Sequence, residues 1–289
     1  MNTLAGKTAV VTGGASGMGR AFADRLARAG MNIVVADVEV PPLDAAVAEL
    51  EAHGTRVIGV RCDVSDSSSV QALAARAFEA FATVNVVCLN AGVGGGGGPI
   101  ETLTAADWAW TLGVNVFGIA HGISAFLPHI KAHGDGHLVI TASIAGLTSF
   151  PGAAPYNTSK HAAIAIAETM FSELRDAGST VGVSCLCPGI VSTRIMDSER
   201  NRPEALQRPG PLPELTAERE QMHNALLDIF AQAKPPAEVA DLVHDAIVAK
   251  QFWIFTDEVY TPAIHARLDA IRDRVDPPAR GSLVEVYLR

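Results

Sequence analysis

The chain has 289 residues, of which 48 % are apolar and 18 % are charged, so it is long enough to enclose a sizeable hydrophobic core. Its net charge of −9 argues against a nucleic-acid partner, which would favour a basic surface. We expect a cytoplasmic protein with no membrane partner, because no secretory pattern precedes the first strand and no apolar run approaches a membrane-spanning length. The four cysteines, Cys62, Cys88, Cys185 and Cys187, are expected to be reduced and buried.

The first elements in the chain form a strand, a glycine-rich turn and a helix. Thr8 to Thr12 is a short β-branched run, and the helical apolar spacing begins near Arg20. Glycines in this context let a pyrophosphate approach the backbone at a helix N-terminus. The residues predicted to hold the phosphates are Gly13, Ala15, Ser16, Gly17, Met18 and Gly19.

A carboxylate follows the second predicted strand, Met31 to Ala36. Asp37, with Val38 beside it, is placed to accept both ribose hydroxyls of an adenosine and to repel a 2′-phosphate. The turn around Ser16 also lacks a basic residue, so NAD is favoured over NADP. The alternative for Asp37 is a helix N-cap or a surface acid, with Pro41-Pro42 marking a turn.

A second acidic residue follows the third strand, Val57 to Val60. Asp63 is placed to meet the adenine amino group while Val64 packs on the ring. The alternative for Asp63, which is equally open, is an N-cap for the helix over 67–81.

The fourth strand, Val84 to Asn90, leads into Ala91 and Gly92, and five consecutive glycines follow at 94–98. Because glycine loses much conformational entropy on ordering, this loop is expected to be a mobile or open wall beside the site. A plain surface linker is the alternative.

The helix that begins after Thr104 should run to about Ala132, with Thr104 as its N-cap. Asn115 lies between glycines in its middle, so we predict a local distortion there that frees a carbonyl to hold water. His129 and His133 have the spacing of a metal pair but no evident carboxylate partner, so no metal is expected.

The strongest chemical signal follows the fifth strand, His137 to Ala142. Ser143 stands at the strand end, and Tyr156 and Lys160 share one face of a helix that starts near Pro155. A free tyrosine has a pKa of about 10, and a nearby lysine cation would lower it toward a useful range. This trio can donate a hydrogen bond to a substrate oxygen and move its proton.

The sixth strand, Val181 to Leu186, ends in a turn at the edge where α/β sheets bind ligands. Four further cofactor contacts are predicted there, at Pro188, Gly189, Ile190 and Thr193. Residues 194–234 change in character and are interpreted as a substrate lid inserted into a single domain over 1–289. A last strand, Phe252 to Thr256, completes seven.

Seven strands that alternate with helices predict an α/β, Rossmann-like, doubly wound parallel sheet. The chain resembles the short-chain dehydrogenase/reductase superfamily over essentially its whole length, outside the 194–234 insertion. The matching motifs are Thr12 to Gly19, Asp63-Val64, Asn90-Ala91-Gly92, Asn115, Ser143, Tyr156 with Lys160, and Pro188-Gly189.

The resemblance implies a catalytic role for four residues. Tyr156 would be the general acid/base, Lys160 its pKa tuner and a ligand of the nicotinamide ribose, Ser143 the carbonyl-polarising group and Asn115 the water holder. The family also implies a homo-oligomer, a tetramer or a dimer. One departure is Leu89, where the family usually has asparagine, and we expect it to pack at the strand end.

The sequence therefore predicts an NAD-dependent enzyme that interconverts a secondary alcohol and a ketone. Two other readings stay open: a non-catalytic NAD-binding sensor on the same fold, and a dehydratase or epimerase. Apolar candidates for the substrate wall indicate a hydrophobic alcohol, including cyclic, terpenoid, steroidal or aromatic compounds. These candidates are Val93, Ile144, Leu147, Phe150, Ile195, Met196, Met222, Leu226 and Phe230.

Overall fold

The computed structural model describes residues 3–208 and 217–278, and its seven strands form one parallel sheet. The strands are β1 (Thr8–Thr12), β2 (Asn32–Asp37), β3 (Val57–Arg61), β4 (Val86–Leu89), β5 (His137–Thr141), β6 (Gly182–Cys187) and β7 (Trp253–Phe255). Their order is β3-β2-β1-β4-β5-β6-β7, so the chain reverses direction across the sheet between β1 and β4. This confirms the doubly wound α/β fold, whose ligand crevice lies at the strands' carboxyl ends near that reversal.

Helices cover both faces of the sheet. They are α1 (Gly17–Arg28), α2 (Val40–Glu51), α3 (Ser67–Phe81), α4 (Ala105–Leu112), α5 (Gly118–His133), α6 (Ala154–Asp176), α7 (Ala217–Gln232), α8 (Pro236–Ala249) and α9 (Thr261–Asp273). Two large apolar clusters result, one under α1, α2 and α8 and the other under α3, α5 and α6. Within β1, Val10 belongs to one cluster and Val11 to the other, because successive side chains of a strand point to opposite faces.

Two helices start earlier than their sequence pattern indicates. The first begins at Gly17 rather than near Arg20, so two of the motif's glycines lie in its first turn. The second begins at Val40, and Pro41-Pro42 stand in its first turn instead of marking a turn before it. Proline is accommodated there because the first N–H groups of a helix have no partner inside the helix.

The predicted distortion around Asn115 is present. Residues Gly113–Phe117 form a π-helical turn between α4 and α5. The N-terminus of α4 carries a complete capping box, in which Thr104 and Asp107 bind each other's backbone N–H groups. The N-cap prediction for Thr104 is therefore confirmed.

The apolar content of this region was underestimated from the sequence. Among the described residues, the stretch Ala105–His133 is long and apolar enough to cross a membrane by length and composition alone. Phe126 and Ile130 of α5 are nevertheless fully buried in the cluster on the sheet. A core helix of this kind passes the same length and composition test.

The segment between β6 and α8 leaves the sheet and returns to the same place. Val191 pairs with Lys234 in an isolated parallel bridge, and the Ser192 N–H donates to the Lys234 carbonyl at 3.0 Å. Between them lie a 3-10 turn over Ile195–Asn201, another over Glu204–Leu206, and α7. Of the predicted lid, residues 209–216 and the side chains of Met222 and Leu226 lie outside the described residues.

Candidate active site

A groove runs along the carboxyl ends of the strands, and its floor at β1 is the glycine-rich turn. Gly13 adopts a φ of +63°, and a Cβ there would lie 2.9 Å from the Ala91 Cα. A Cβ on Gly19 would lie 2.1 Å from the Gly13 carbonyl oxygen. Within the described residues the Ser16 side chain does not cap α1. The turn is thus held close to β4, and the helix N-terminus fits a pyrophosphate.

Asp37 ends β2 and lines the groove. Oδ2 accepts the Ala15 N–H at 3.0 Å, and Oδ1 accepts the Glu39 N–H at 3.1 Å. The N-cap position of α2 belongs to Glu39 and not to Asp37. Asp37 is 8 % exposed, so it is neither the cap nor the surface acid that the sequence left as alternatives.

Asp63 and Val64 line the groove after β3. The Asp63 Oδ1 accepts hydrogen bonds from the Ser65 backbone N–H at 2.9 Å and the Ser65 hydroxyl at 2.7 Å. The residue that caps α3 is Asp66, whose side chain accepts the Ser68 N–H. The cap alternative for Asp63 is therefore wrong.

The end of β4 is tied to the end of β1 by one hydroxyl. The Thr12 Oγ accepts the N–H groups of Asn90 at 2.9 Å and Ala91 at 3.1 Å, and the Asn90 side chain donates to the Thr12 carbonyl at 3.0 Å. Leu89, the departure from the family pattern, is buried and packs on α5, where a Cβ on Gly122 would lie 2.3 Å from its Cδ2. The packing expected of Leu89 is confirmed.

Asn115 is buried behind the groove, where its side chain fixes two neighbouring segments. Its Oδ1 accepts the Val93 N–H at 2.9 Å, and its Nδ2 donates to the Val93 carbonyl and the Ser159 hydroxyl, each at 3.0 Å. Ser159 in turn donates to the Tyr156 carbonyl at 2.8 Å. Asn115 therefore links the strand-end loop to the helix that carries Tyr156.

Ser143, Tyr156 and Lys160 all line the groove. The Ser143 side chain hydrogen-bonds Tyr156, and its Oγ also accepts the Ala145 N–H at 3.1 Å. The Lys160 ammonium donates to the Thr141 carbonyl at 3.0 Å and lies 5.6 Å from the centroid of the Tyr156 ring. The three groups that could act on one substrate oxygen thus meet at the end of β5.

The balance of electrostatic effects at this trio differs from the sequence expectation. Burial raises the pKa of Tyr156, and the hydrogen bond from Ser143 offsets only part of that rise. Burial also lowers the pKa of Lys160 to about 8. Because Lys160 is bound to the Thr141 carbonyl, desolvation of the phenolate outweighs its attraction to the cation in this structure.

Most of the predicted cofactor residues line the groove. They are Gly13, Ser16, Gly17, Met18, Asp37, Val38, Asp63, Val64, Asn90, Ala91, Gly92, Tyr156, Lys160, Pro188, Gly189 and Thr193. Ala15 and Gly19 support this wall from behind, since Ala15 binds Asp37 and Gly19 contacts Gly13. Ile190 is buried and is not among the lining residues.

The predicted substrate wall is only partly assembled. Val93, Ile195 and Phe230 line the groove. Ile144 and Phe150 instead belong to a small core cluster with Tyr260. Their apolar character satisfies the packing of that core rather than the groove. Met196 is 37 % exposed and faces the outer side of the 3-10 turn.

Several lining residues were missed by sequence reasoning. They are Glu39, Cys62, Ser65, Trp110, Val114, Thr141, Ala142, Val191, Arg194, Ser198, Arg200, Asn201 and Pro203. Those from 191 to 203 follow the sixth strand, mostly within the segment interpreted as a lid, but no motif singles them out individually as lining residues. Trp110 was hidden within a helical apolar pattern.

The five-glycine loop is packed against a charged cluster and does not form an open wall. A Cβ on Gly96 would lie 2.6 Å from the Asp107 Oδ1. Asp107, fully buried, accepts hydrogen bonds from Arg202 at 2.8 Å and Arg208 at 2.7 Å. The Arg202 guanidinium also lies 4.4 Å from the centroid of the Trp110 ring. Glycine is required here because the backbone passes so close to these side chains.

The remaining candidates are structural. All four cysteines are free and buried as expected, and the Cys185 and Cys187 sulfurs lie 3.9 Å apart on one face of β6. His133 contacts the Val84 carbonyl, and His129 stacks on Phe78. No group of metal-ligating side chains occurs among residues 3–208 and 217–278.

A doubly wound sheet with a glycine cradle at its first helix defines a nucleotide-binding α/β protein. The family model for short chain dehydrogenases matches residues 7–204. The chain belongs to this family, and it is an oxidoreductase.

Three known proteins illustrate the similarity. A 1-deoxy-11-beta-hydroxypentalenate dehydrogenase of Streptomyces avermitilis is 36 % identical over 252 residues, covering 86 % of this chain and 84 % of the relative. A CLA biosynthesis dehydrogenase/reductase of Lactiplantibacillus plantarum is 29 % identical over 275 residues, or 94 % and 95 % of the two chains. A short-chain dehydrogenase/reductase from Burkholderia phymatum, solved in complex with NAD, is 42 % identical with a TM-score of 0.92 and coverage of 98 % and 100 %.

Proposed function

We propose that this protein is an NAD(H)-dependent dehydrogenase/reductase that interconverts a hydrophobic secondary alcohol and its ketone. The observation that carries the proposal is that Ser143, Tyr156 and Lys160 line the same groove as the glycine cradle of α1. A proton-transfer group and a dinucleotide site in one groove is the arrangement that hydride transfer requires.

The chain's own residues handle the proton. In the oxidation direction the Tyr156 oxygen, as phenolate, takes the hydroxyl proton of the alcohol while Ser143 donates a hydrogen bond to the same substrate oxygen. NAD, when bound, supplies the acceptor for the hydride that leaves the carbinol carbon. The charged Lys160 stabilises the phenolate. Asn115 fixes the backbone around the site, so that a proton can pass from the site to solvent. Reduction of a ketone runs in reverse.

The choice of NAD is supported by Asp37 at the end of β2, whose carboxylate suits ribose hydroxyls and repels a 2′-phosphate. It is also supported by the similar Burkholderia phymatum protein, which was solved with NAD. Asp63 and Val64 would contact the adenine, and Pro188, Gly189, Ile190 and Thr193 the nicotinamide side.

A hydrophobic substrate is supported by apolar side chains in the lining of the groove. These include Val93, Trp110, Val114, Ile195 and Phe230. The Streptomyces avermitilis relative is named for an alcohol of this character. We assign the excursion over 194–234 as the substrate lid of a single domain that spans 1–289.

We further propose a cytoplasmic homo-oligomer, a tetramer or a dimer. The free cysteines suit a reducing compartment. The partly exposed aromatic side chains Phe117 on the π-helical turn and Phe171 on α6 offer apolar surface for a second copy.

The test is NADH formation from NAD with a panel of hydrophobic secondary alcohols, run on the wild type and on Tyr156→Phe. We expect turnover in the wild type and a loss of roughly a thousandfold in the variant, because general acid–base catalysis contributes on that order. NADH binding, followed by its fluorescence, should survive the substitution. Equal turnover in both proteins would refute the role of Tyr156. NADH binding without turnover on any alcohol would favour the sensor.

A further inference from the structure

The 3-10 turn Ile195–Asn201 crosses the groove and is fastened to both of its walls. On the β4 side, the Gly94 N–H donates to the Ser198 hydroxyl at 2.9 Å. On the β2 side, Arg200 binds Glu39 through two hydrogen bonds, Nε to Oε1 at 3.1 Å and an Nη to Oε2 at 2.7 Å. Glu39 and Arg200 are 161 residues apart in the chain, so no local pattern predicts this pair.

This pair lies at the adenosine end of the groove. Asp37, Glu39 and Arg200 line one continuous groove, and Glu39 is only two residues beyond the carboxylate assigned to the ribose. Asn201 adds a further hydrogen bond to Glu39. Glu39, with the Asp37 charge nearby, raises the pKa of Arg200 and keeps the guanidinium charged. The charged guanidinium of Arg200 therefore lies beside the ribose site, but Glu39 already occupies the N–H groups that could bind a second anion.

An arginine fork binds a phosphate as readily as it binds a carboxylate. The 2′-phosphate of NADP would enter next to Arg200, but it would have to displace Glu39 and approach two carboxylates. The Arg200 Nη1 is meanwhile bound to the Asp197 carbonyl at 2.8 Å, which keeps the side chain directed at this place. Removal of the Glu39 charge would leave the fork in position and without its carboxylate.

We propose that Arg200 is a latent site for the 2′-phosphate of a dinucleotide and that Glu39, by occupying it, selects NAD together with Asp37. This inference rests on the proposed function, since it concerns the cofactor of that same groove. The inference assigns the choice of cofactor to the Glu39–Arg200 ion pair, in addition to Asp37, the single acidic residue that the sequence indicated.

The experiment is equilibrium binding of NADH and NADPH, followed by their fluorescence without any alcohol, in a stepwise series. The starting variant is Asp37→Asn, because asparagine removes the charge and can still accept the Ala15 N–H. Glu39→Gln is then added, followed by Arg200→Gln. Glu49→Gln is the matched control, since Glu49 pairs with Arg20 at 2.9 Å but lies outside the groove. Thermal unfolding of each variant checks that it is folded.

We expect Asp37→Asn/Glu39→Gln to bind NADPH on the order of tenfold more tightly than Asp37→Asn alone, a gain typical of one charge-assisted contact. Adding Arg200→Gln should remove that gain, while Glu49→Gln should leave it unchanged. Equal NADPH affinity with and without Arg200 would overturn the inference, as would a gain of the same size from Glu49→Gln. If the wild type binds neither NADH nor NADPH, the proposed function itself fails, which is a distinguishable result.

Discussion

The two walls of the groove are built on different physical principles. The strand-end wall is fixed by backbone geometry and neutral hydrogen bonds, as where the Thr12 hydroxyl receives two N–H groups from the end of β4. The crossing wall, residues 194–208, is fixed by ion pairs of Arg200 with Glu39 and of Arg202 and Arg208 with Asp107. The contacts of the first wall join neighbouring strand ends, whereas the ion pairs of the second wall join residues that are far apart in the chain.

The difference indicates which wall of the groove carries out the chemistry and which wall determines selectivity. The strand-end wall holds Ser143, Tyr156 and Lys160 at fixed positions, and burial is the main cause of the shifted pKa values of Tyr156 and Lys160. The crossing wall contributes apolar lining and charges, which are the features that distinguish one substrate or cofactor from another. A substitution in the first wall should therefore affect turnover, and one in the second should affect affinity and stability.

The largest effect is expected from Lys160→Met, which alters the chemistry of the strand-end wall. Loss of the cation should lower turnover by roughly a thousandfold at neutral pH and shift the remaining activity to higher pH, because the phenolate loses its stabilising charge. The measurement is the pH profile of kcat, with Lys160→Arg as a control that retains a cation. An unshifted profile in Lys160→Met would count against this role.

The next effect is expected from Asp107→Asn, which loosens the crossing wall. Asp107 and Arg202 are both buried, and removing one partner of a buried ion pair is strongly destabilising. Because Arg202 keeps its two hydrogen bonds to Glu199, we expect a cost at the low end of the usual range, about 3 kcal/mol. The free energy of unfolding should fall by this amount, and the KM for the alcohol should rise more than kcat falls. The control is Asp241→Asn, whose pair with Arg25 is largely exposed and contributes about 0–1 kcal/mol. Equal losses of unfolding free energy in both variants would contradict the stabilising role of the buried Asp107–Arg202 pair.

The smallest effect is expected from mild acid, which should act on the buried sheet before it acts on the Asp107 ion pairs that fix the crossing wall. Burial lowers the pKa of His137 in β5 from 6.5 to about 3, so the folded state excludes a proton that the unfolded state accepts. The contribution of His137 to stability should therefore be constant above pH 6.5 and fall by about 1.4 kcal/mol per pH unit below it, until the pH reaches about 3.

Asp107 behaves differently. Although burial alone would raise its pKa, hydrogen bonds from Thr104 and the two arginines bring it down from 3.8 to about 2. Its contribution to stability is therefore complete above pH 3.8 and is lost only as the pH falls from there toward 2. Denaturant unfolding of wild type and His137→Asn between pH 7 and pH 5 tests the separation, with exposed His265→Asn as control. A slope that persists in His137→Asn would show that another group is responsible.

Much of the fold follows from the sequence because its signals are local. Buried β-branched runs such as Thr8–Thr12 are typical of parallel strands between two layers of helices. A glycine-rich turn between such a strand and a helix is typical of a phosphate-binding site. The distortion at Asn115 and the cap at Thr104 were also predicted, since both depend on residues within one or two turns of helix. Helix starts were less accurate, because proline and glycine are tolerated in a first turn.

What the sequence determined by itself was the parallel sheet, the strand-end residues and the spacing of Tyr156 and Lys160, because each is encoded in a few adjacent residues. Only the tertiary structure decided that Ile144 and Phe150 pack into a core, that Gly96 contacts Asp107, and that Arg200 reaches Glu39. These contacts join residues far apart in the chain. Whether an apolar or charged side chain meets a groove, a core or a partner depends on which distant segment folds against it.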